Sequence, residues 1–133
     1  STRPNPTVVT TIEIPEDFVV RADLYRLTVA LSKLVSNAFK YVDMRKEQCE
    51  VKIRAFQNGD YTIEVQDNGI GIKQEQLPKI FNMFYRATEK SNGSGLGLYI
   101  ANESIRKMNG KIEVSSEYGK GTNFRVTLPK KAS

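Results

Sequence analysis

The sequence predicts an α+β domain in two layers, a five-stranded sheet with three helices on one face. Three observations point to it. Apolar residues alternate with polar ones in two pairs of short runs, each pair joined by a tight turn. Two longer stretches instead repeat their apolar residues every three or four positions, the period of a helix packed on one side. Strands joined mostly as hairpins leave the helices to cover a single face of one sheet.

The elements follow in order. Residues 1–7 contain Pro4 and Pro6 and no apolar period, and read as a linker or tag remnant. The domain is expected over residues 8–129, with 130–133 as a tail. Val8 to Ile14 reads as a first strand closed by Pro15, and Phe18 to Val20 as a short extended piece. Asp23 is a candidate N-cap for a long helix whose stripe is Leu24, Leu27, Leu31, Leu34, Val35 and Ala38. Cys49, Val51, Ile53 and Ala55 alternate with polar residues, as do Tyr61, Ile63 and Val65 after Asn58-Gly59-Asp60, a hairpin signal. A short helix is expected at Glu75–Phe81, with Pro78 near its start, and Ala87 to Ser94 reads as a mobile loop. A helix from Leu96 to Met108 should end at Asn109-Gly110. Lys111–Ser116 and Thr122–Leu128 form a second hairpin, turning at Tyr118-Gly119-Lys120-Gly121.

Composition narrows the function classes. A chain of 133 residues, 39% hydrophobic and 26% charged, can bury one core and is not of disordered type. No apolar run approaches the ~18 residues that span a bilayer. The chain starts at Ser1 rather than Met, so a piece of a longer protein is expected, whose parent is free to be membrane-anchored; a single cysteine suits a reducing compartment, and the expected location is cytoplasmic. Cys49 is the only cysteine, which excludes an internal disulfide; its place in an alternating run makes it a small core residue. The net charge of +5 suits an anionic ligand, while the scatter of basic residues argues against nucleic acid. Histidine is absent, so any phosphoryl-accepting histidine must lie on another domain or chain.

Three motifs carry chemistry. Lys33, Asn37, Lys40 and Tyr41 share one helical stripe beside the leucine face. A carboxamide, ammonium groups and an aromatic ring there suit a metal-bound polyphosphate joined to a planar base; taken alone, the stripe also fits a solvated helix face. Asp67-Asn68-Gly69-Ile70-Gly71-Ile72 follows a strand: the carboxylate can accept from an exocyclic amine and the glycines let backbone approach a ligand, although a plain turn would look the same. Gly93-Ser94-Gly95-Leu96-Gly97-Leu98 enters a helix, where free N–H groups at the positive dipole end can cradle phosphate. It is not a Walker sequence, and it follows a loop rather than a strand.

In this order the three motifs resemble the N box and the two glycine boxes of the GHKL ATPase superfamily, which includes histidine kinases, type II topoisomerases, a mismatch-repair ATPase and a heat-shock chaperone. Ile80-Phe81-Asn82-Met83-Phe84-Tyr85-Arg86 is similar to the F box of histidine kinases, and Gly119-Lys120-Gly121-Thr122 with Phe124 to their closing hairpin. The resemblance implies the Bergerat-type ATP-binding fold, a two-layer α/β sandwich with a mixed five-stranded sheet and three helices. It implies ATP and Mg2+ as ligands. By position, Asn37 would ligate magnesium, Lys40 would contact phosphates and Tyr41 would lie against adenine. Asp67 would accept from the adenine amine, with Thr122 supporting that corner through water. Gly69, Gly71, Gly93, Gly95 and Gly97 would let backbone approach the nucleotide, with Ile72 and Leu96 beside them in the same loops. Arg86 would reach toward the phosphates from a lid running from about Tyr85 to Ser94, anchored by Phe81 and Phe84. The implied activity is that of a protein-histidine kinase catalytic domain, with a histidine-bearing dimerisation domain as partner and a response regulator downstream. The fragment is expected to be monomeric and its parent a homodimer.

Lys33 departs from the pattern. Histidine kinases usually place Asn or another metal-friendly group there, and hydrolytic relatives place a catalytic Glu. A protonated lysine cannot ligate magnesium. An inward ammonium would weaken the metal or neutralise phosphate in its place, and an outward one would be harmless. Lacking the water-activating Glu, the chain should hydrolyse ATP slowly. A rival reading is a degenerate, non-catalytic interaction module with an impaired metal site; an anti-sigma-factor serine kinase is a third.

Overall fold

The computed structural model describes residues 7–86 and 95–130. Five strands and two α-helices follow in the order β1 (Thr7–Glu13), α1 (Leu24–Lys40), β2 (Gln48–Asn58), β3 (Asp60–Asp67), α2 (Gly97–Arg106), β4 (Lys111–Glu117) and β5 (Gly121–Leu128). The sheet order is β1-β2-β3-β5-β4. β1 lies parallel to β2 and every other pair is antiparallel, so the sheet is mixed.

α1 forms where expected. The Asp23 carboxylate accepts the Arg26 N–H at 3.1 Å, capping the first turn. Leu27, Ala30, Leu34 and Ala38 are its buried stripe, while Leu24, the first helical residue, is exposed. α1 and α2 pack side by side, and the fully buried Ala30 and Ala101 permit close approach. Beneath them Val51, Val65, Phe124, Val126 and Leu128 supply the inner face of the sheet, and Cys49 is buried there as a small core residue. α2 ends as the Asn-Gly pair predicts. Asn109 takes φ 62°, and the Gly110 N–H returns to the Ile105 carbonyl at 3.0 Å, the six-to-one bond of a Schellman motif.

The open face of the sheet is polar. Glu64, 5% exposed, sits at its centre and accepts from Arg54, Arg125 and Asn123. Burial pushes its carboxyl up, but the hydrogen bonds from Asn123 and Arg125 and the two guanidinium charges outweigh it, so Glu64 titrates below its ordinary range.

Three expectations need correction. The helix expected at Glu75–Phe81 is a single 3-10 turn, Leu77–Lys79, giving two α-helices rather than three. Pro78 has no N–H to donate, and the Asn82 N–H bonds Lys79 O, three residues back, rather than continuing an α ladder. Phe18–Val20 joins no strand; the Phe18 N–H closes a turn onto the Pro15 carbonyl, and its ring meets Tyr61 edge-on. Thr7 belongs to β1, paired with Gln48, rather than to the linker. Among the described residues no helix is long and apolar enough to cross a membrane.

Candidate functional site

The site lies where the C-terminal half of α1, the loop after β3, the start of α2 and the β4–β5 hairpin meet. It has two connected lobes. A cleft of about 370 Å3 is lined by Asn37, Tyr41, Asp67, Gly71, Ile72 and Thr122, with Tyr118 at the hairpin end. A neighbouring lobe of about 240 Å3 is lined by Lys33, Asn37, Lys40, Tyr41, Gly95 and Gly97. Asn37, Tyr41, Ile80, Tyr85 and Leu98 border both, so the two are continuous. The residues singled out on α1 and after β3 therefore face one space.

The cleft end is held rigid by backbone. The Ile70 N–H donates to the Tyr41 carbonyl at 3.0 Å, tying the post-β3 loop to the end of α1. A Cβ on Gly69 would lie 2.3 Å from that carbonyl oxygen. Gly71, at φ 81°, leaves no room either: a Cβ would sit 2.2 Å from the Glu117 carbonyl oxygen of the hairpin. These two glycines, expected to admit a ligand, are required by contacts of the protein with itself. Gly97 differs. Among the described residues the nearest atom to its virtual Cβ is Lys33 Cδ at 4.0 Å, on the side of the second lobe.

Asp67 accepts the Gly69 N–H at 2.8 Å through Oδ1. Burial pushes its carboxyl above the ordinary aspartate range, against the backbone N–H bonds from Gly69 and Thr122 and the charge of Lys46. The Lys46 ammonium itself donates to the Asn68 carbonyl and, at 3.4 Å, to the Lys120 carbonyl, bridging loop and hairpin. Behind Thr122, Ser116 Oγ receives the Ile72 N–H at 2.8 Å and lies 2.9 Å from Thr122 Oγ1. Lys46, Ser116 and Tyr118 were not singled out from sequence. Tyr118 opens a recognisable glycine turn and Ser116 shortly precedes it, which is the only local signal they carry.

The second lobe is cationic. Lys33 lines it and runs past Gly97, so its side chain is directed inward. Lys40 lines it too, with Nζ 5.2 Å from the Tyr41 ring centroid. Among the described residues no side chain caps the N-terminus of α2 at Leu96, and N–H groups beside Gly97 suit an anion. Among the described residues no three Cys, Asp or Glu side chains gather as a metal centre. Asn37, where the lobes join, is the metal-friendly group, which fits a divalent ion carried in largely on a ligand's own phosphate oxygens.

Phe81 packs against the core and is anchored edge-on against Phe124, with ring centroids 6.2 Å apart. Phe84, expected as a second anchor, is 64% exposed. Its φ of 65° and the bond from its N–H to the Gly95 carbonyl at 2.9 Å turn the ring outward, and Tyr85 packs on the core instead. Arg86 is exposed beside it. Gly93 and the expected lid stretch from Ala87 to Ser94 lie outside the described residues.

Known proteins are similar to this chain in sequence and in fold. Residues 22–132 match the family described as histidine kinase-, DNA gyrase B- and HSP90-like ATPases. The autoinducer 2 sensor kinase/phosphatase LuxQ of Vibrio cholerae is 37% identical over 84% of this chain and 14% of its own length. The sensor protein kinase WalK of Staphylococcus haemolyticus is 38% identical over 88% of this chain and 20% of its own. The aerobic respiration control sensor protein ArcB of Escherichia coli is 35% identical over 89% and 15%. The chain thus spans a fifth or less of these relatives. Among solved structures, the nucleotide-free catalytic domain of histidine kinase ThkA superposes with a TM-score of 0.78 at 28% identity, covering 92% of this chain and 79% of that one. Full-length ShkA in complex with AMPPNP gives 0.80 at 26% identity, covering 95% and 26%.

Proposed function

Because this chain belongs to the family of histidine kinase-, DNA gyrase B- and HSP90-like ATPases, on the histidine kinase side of it, we propose that it binds Mg-ATP and donates the γ-phosphoryl group to a histidine on a separate dimerisation domain. The observation that carries the reading is the continuity of the two lobes: Asp67 and Asn37 line one cleft, which opens onto a cationic pocket at a helix N-terminus. The adenine lies in the first lobe, its amine toward Asp67 and its ring toward Tyr41. The triphosphate runs past Asn37 into the second lobe, to Lys40, Lys33 and the N–H groups near Gly97. Arg86 approaches from the lid side. Bound magnesium would be held by Asn37 and would offset charge on the transferred group.

Such a site works by positioning and charge neutralisation. Where hydrolytic relatives place a water-activating Glu, this chain has Lys33, which cannot serve as a carboxylate base. Transfer to a histidine is therefore favoured over hydrolysis, and with no histidine of its own the chain needs a histidine-bearing partner. A response regulator receives the phosphoryl group downstream.

The test is a calorimetric titration of the chain with ATP, with and without magnesium, followed by incubation with a histidine-bearing dimerisation domain and assay for acid-labile phosphate. Micromolar-range binding and acid-labile transfer are expected. Binding without transfer would favour the docking-module alternative, for which the inward Lys33 is the structural argument.

A further inference from the structure

Ser116 lines neither lobe of the site, yet three polar groups converge on its hydroxyl. The Ile72 N–H donates to Ser116 Oγ at 2.8 Å, the Gly121 carbonyl oxygen lies 2.8 Å away, and Thr122 Oγ1 lies 2.9 Å away. A serine hydroxyl has one proton and two lone pairs. The Gly121 carbonyl can only accept, so the Ser116 proton goes there. The Ile72 N–H occupies one lone pair. Only the second lone pair is left for Thr122, and Thr122 must therefore donate its own hydroxyl proton to Ser116. What Thr122 turns toward the cleft is lone pairs alone.

Thr122 is 6% exposed, lines the cleft, and pairs across the sheet with Asp67. Asp67, ionised, is likewise an acceptor, and Oδ1 already takes the Gly69 N–H. Asp67 and Thr122 thus present acceptors and no hydroxyl donor, and Tyr118 is the hydroxyl at the hairpin end of the cleft. The carboxylate by itself does not choose between purines, because a 6-oxo purine offers it ring N–H and 2-amino donors. A hydroxyl free to rotate would donate to the 6-oxo group and help such a base bind. We propose that Ser116 is a positioning residue for base specificity: by holding the Thr122 proton, it makes the corner accept a 6-amino purine and repel a 6-oxo purine.

The inference rests on the proposed placement of a purine at this end of the cleft. Its test is the ratio of ATP to GTP affinity, measured by calorimetry on the 133-residue chain. Ser116→Ala frees the Thr122 hydroxyl and should cut the ATP preference roughly tenfold, partly through a gain in GTP affinity that loosened structure alone would not produce. In a Thr122→Val background the same change should leave the ratio unmoved. An unchanged ratio in folded Ser116→Ala, or an equal shift in the Thr122→Val background, overturns the inference. If Ser116→Ala fails to fold, Ser116→Cys keeps the volume with a weaker acceptor. It should shift the ratio the same way by a smaller factor, and no shift would overturn the inference. A parent chain that binds neither nucleotide overturns the proposed function itself, so the two failures are distinct.

Discussion

The two lobes of the site are built by opposite means. The cleft end is made of short side chains and backbone: Asp67, Thr122 and Ser116 are held by hydrogen bonds of 2.8–2.9 Å, and Gly71 abuts the hairpin with no room for a Cβ. The other end is made of long cations, Lys33 and Lys40, beside Gly97. A rigid, half-buried corner can discriminate, because a misplaced donor or acceptor there has no water to fall back on. Flexible ammonium groups in a wet lobe neutralise charge without strict geometry, and salt screens them. On the proposed placement of the nucleotide, recognition of a base and tolerance of a polyphosphate are divided between two regions of one cleft.

Changes at the two ends should differ in kind as well as in size. The largest effect belongs to Asp67→Asn, which puts a donor where an acceptor stood; ATP affinity should fall roughly 10- to 100-fold in calorimetry. The same carboxyl gives a pH signature. Since its pKa in the fold is raised, ATP binding should weaken on acidification at a pH above the ordinary aspartate value of 3.8. Stability of the free domain runs the other way. Above 3.8 the unfolded chain has already released a proton that the folded Asp67 retains, so the Asp67 contribution declines as pH rises through that window. Asp67→Asn removes this slope and should leave the free domain at least as stable as the parent at neutral pH, read from thermal melts.

Next comes Gly71→Ala, whose Cβ would meet the Glu117 carbonyl oxygen at a φ of 81°. It should cost about 2 kcal/mol or more in denaturant unfolding, with ATP affinity falling in step as the hairpin shifts. Lys40→Met should weaken ATP roughly tenfold at low salt, with the gap to the parent closing as ionic strength rises, whereas the Asp67→Asn deficit should persist in salt. The smallest effect is that of Lys33→Asn. ATP binding without magnesium should drop about threefold while the gain on adding magnesium increases, as a carboxamide replaces a competing cation. Equal magnesium dependence in the two proteins would show Lys33 to be indifferent to the metal.

Much of the frame was legible along the chain. The stripe through Leu27, Leu34 and Ala38, the Asn58-Gly59 and Gly119–Gly121 turns and the Asn109-Gly110 stop are local signals, set by helical or strand period and by backbone freedom at glycine and asparagine. The stretch around Pro78 misled because its apolar residues, Leu77, Ile80 and Phe81, keep helical spacing while the proline denies the ladder a donor. Phe84 misled because residue type suggests burial and only the left-handed backbone turns it outward.

The residues of the candidate site could be proposed one by one, since a carboxylate, a carboxamide and glycine loops suggest their chemistry by type and spacing. That Asn37 and Asp67 share a cleft, that Lys33 turns inward, and that Ser116 and Lys46 hold the corner from behind depend on contacts between residues up to 74 positions apart (Lys46 to Lys120). Local propensity decides what a segment can become. Which segments meet, and therefore which way a hydroxyl proton or an ammonium points, is decided only when the sheet pairs and the helices pack upon it.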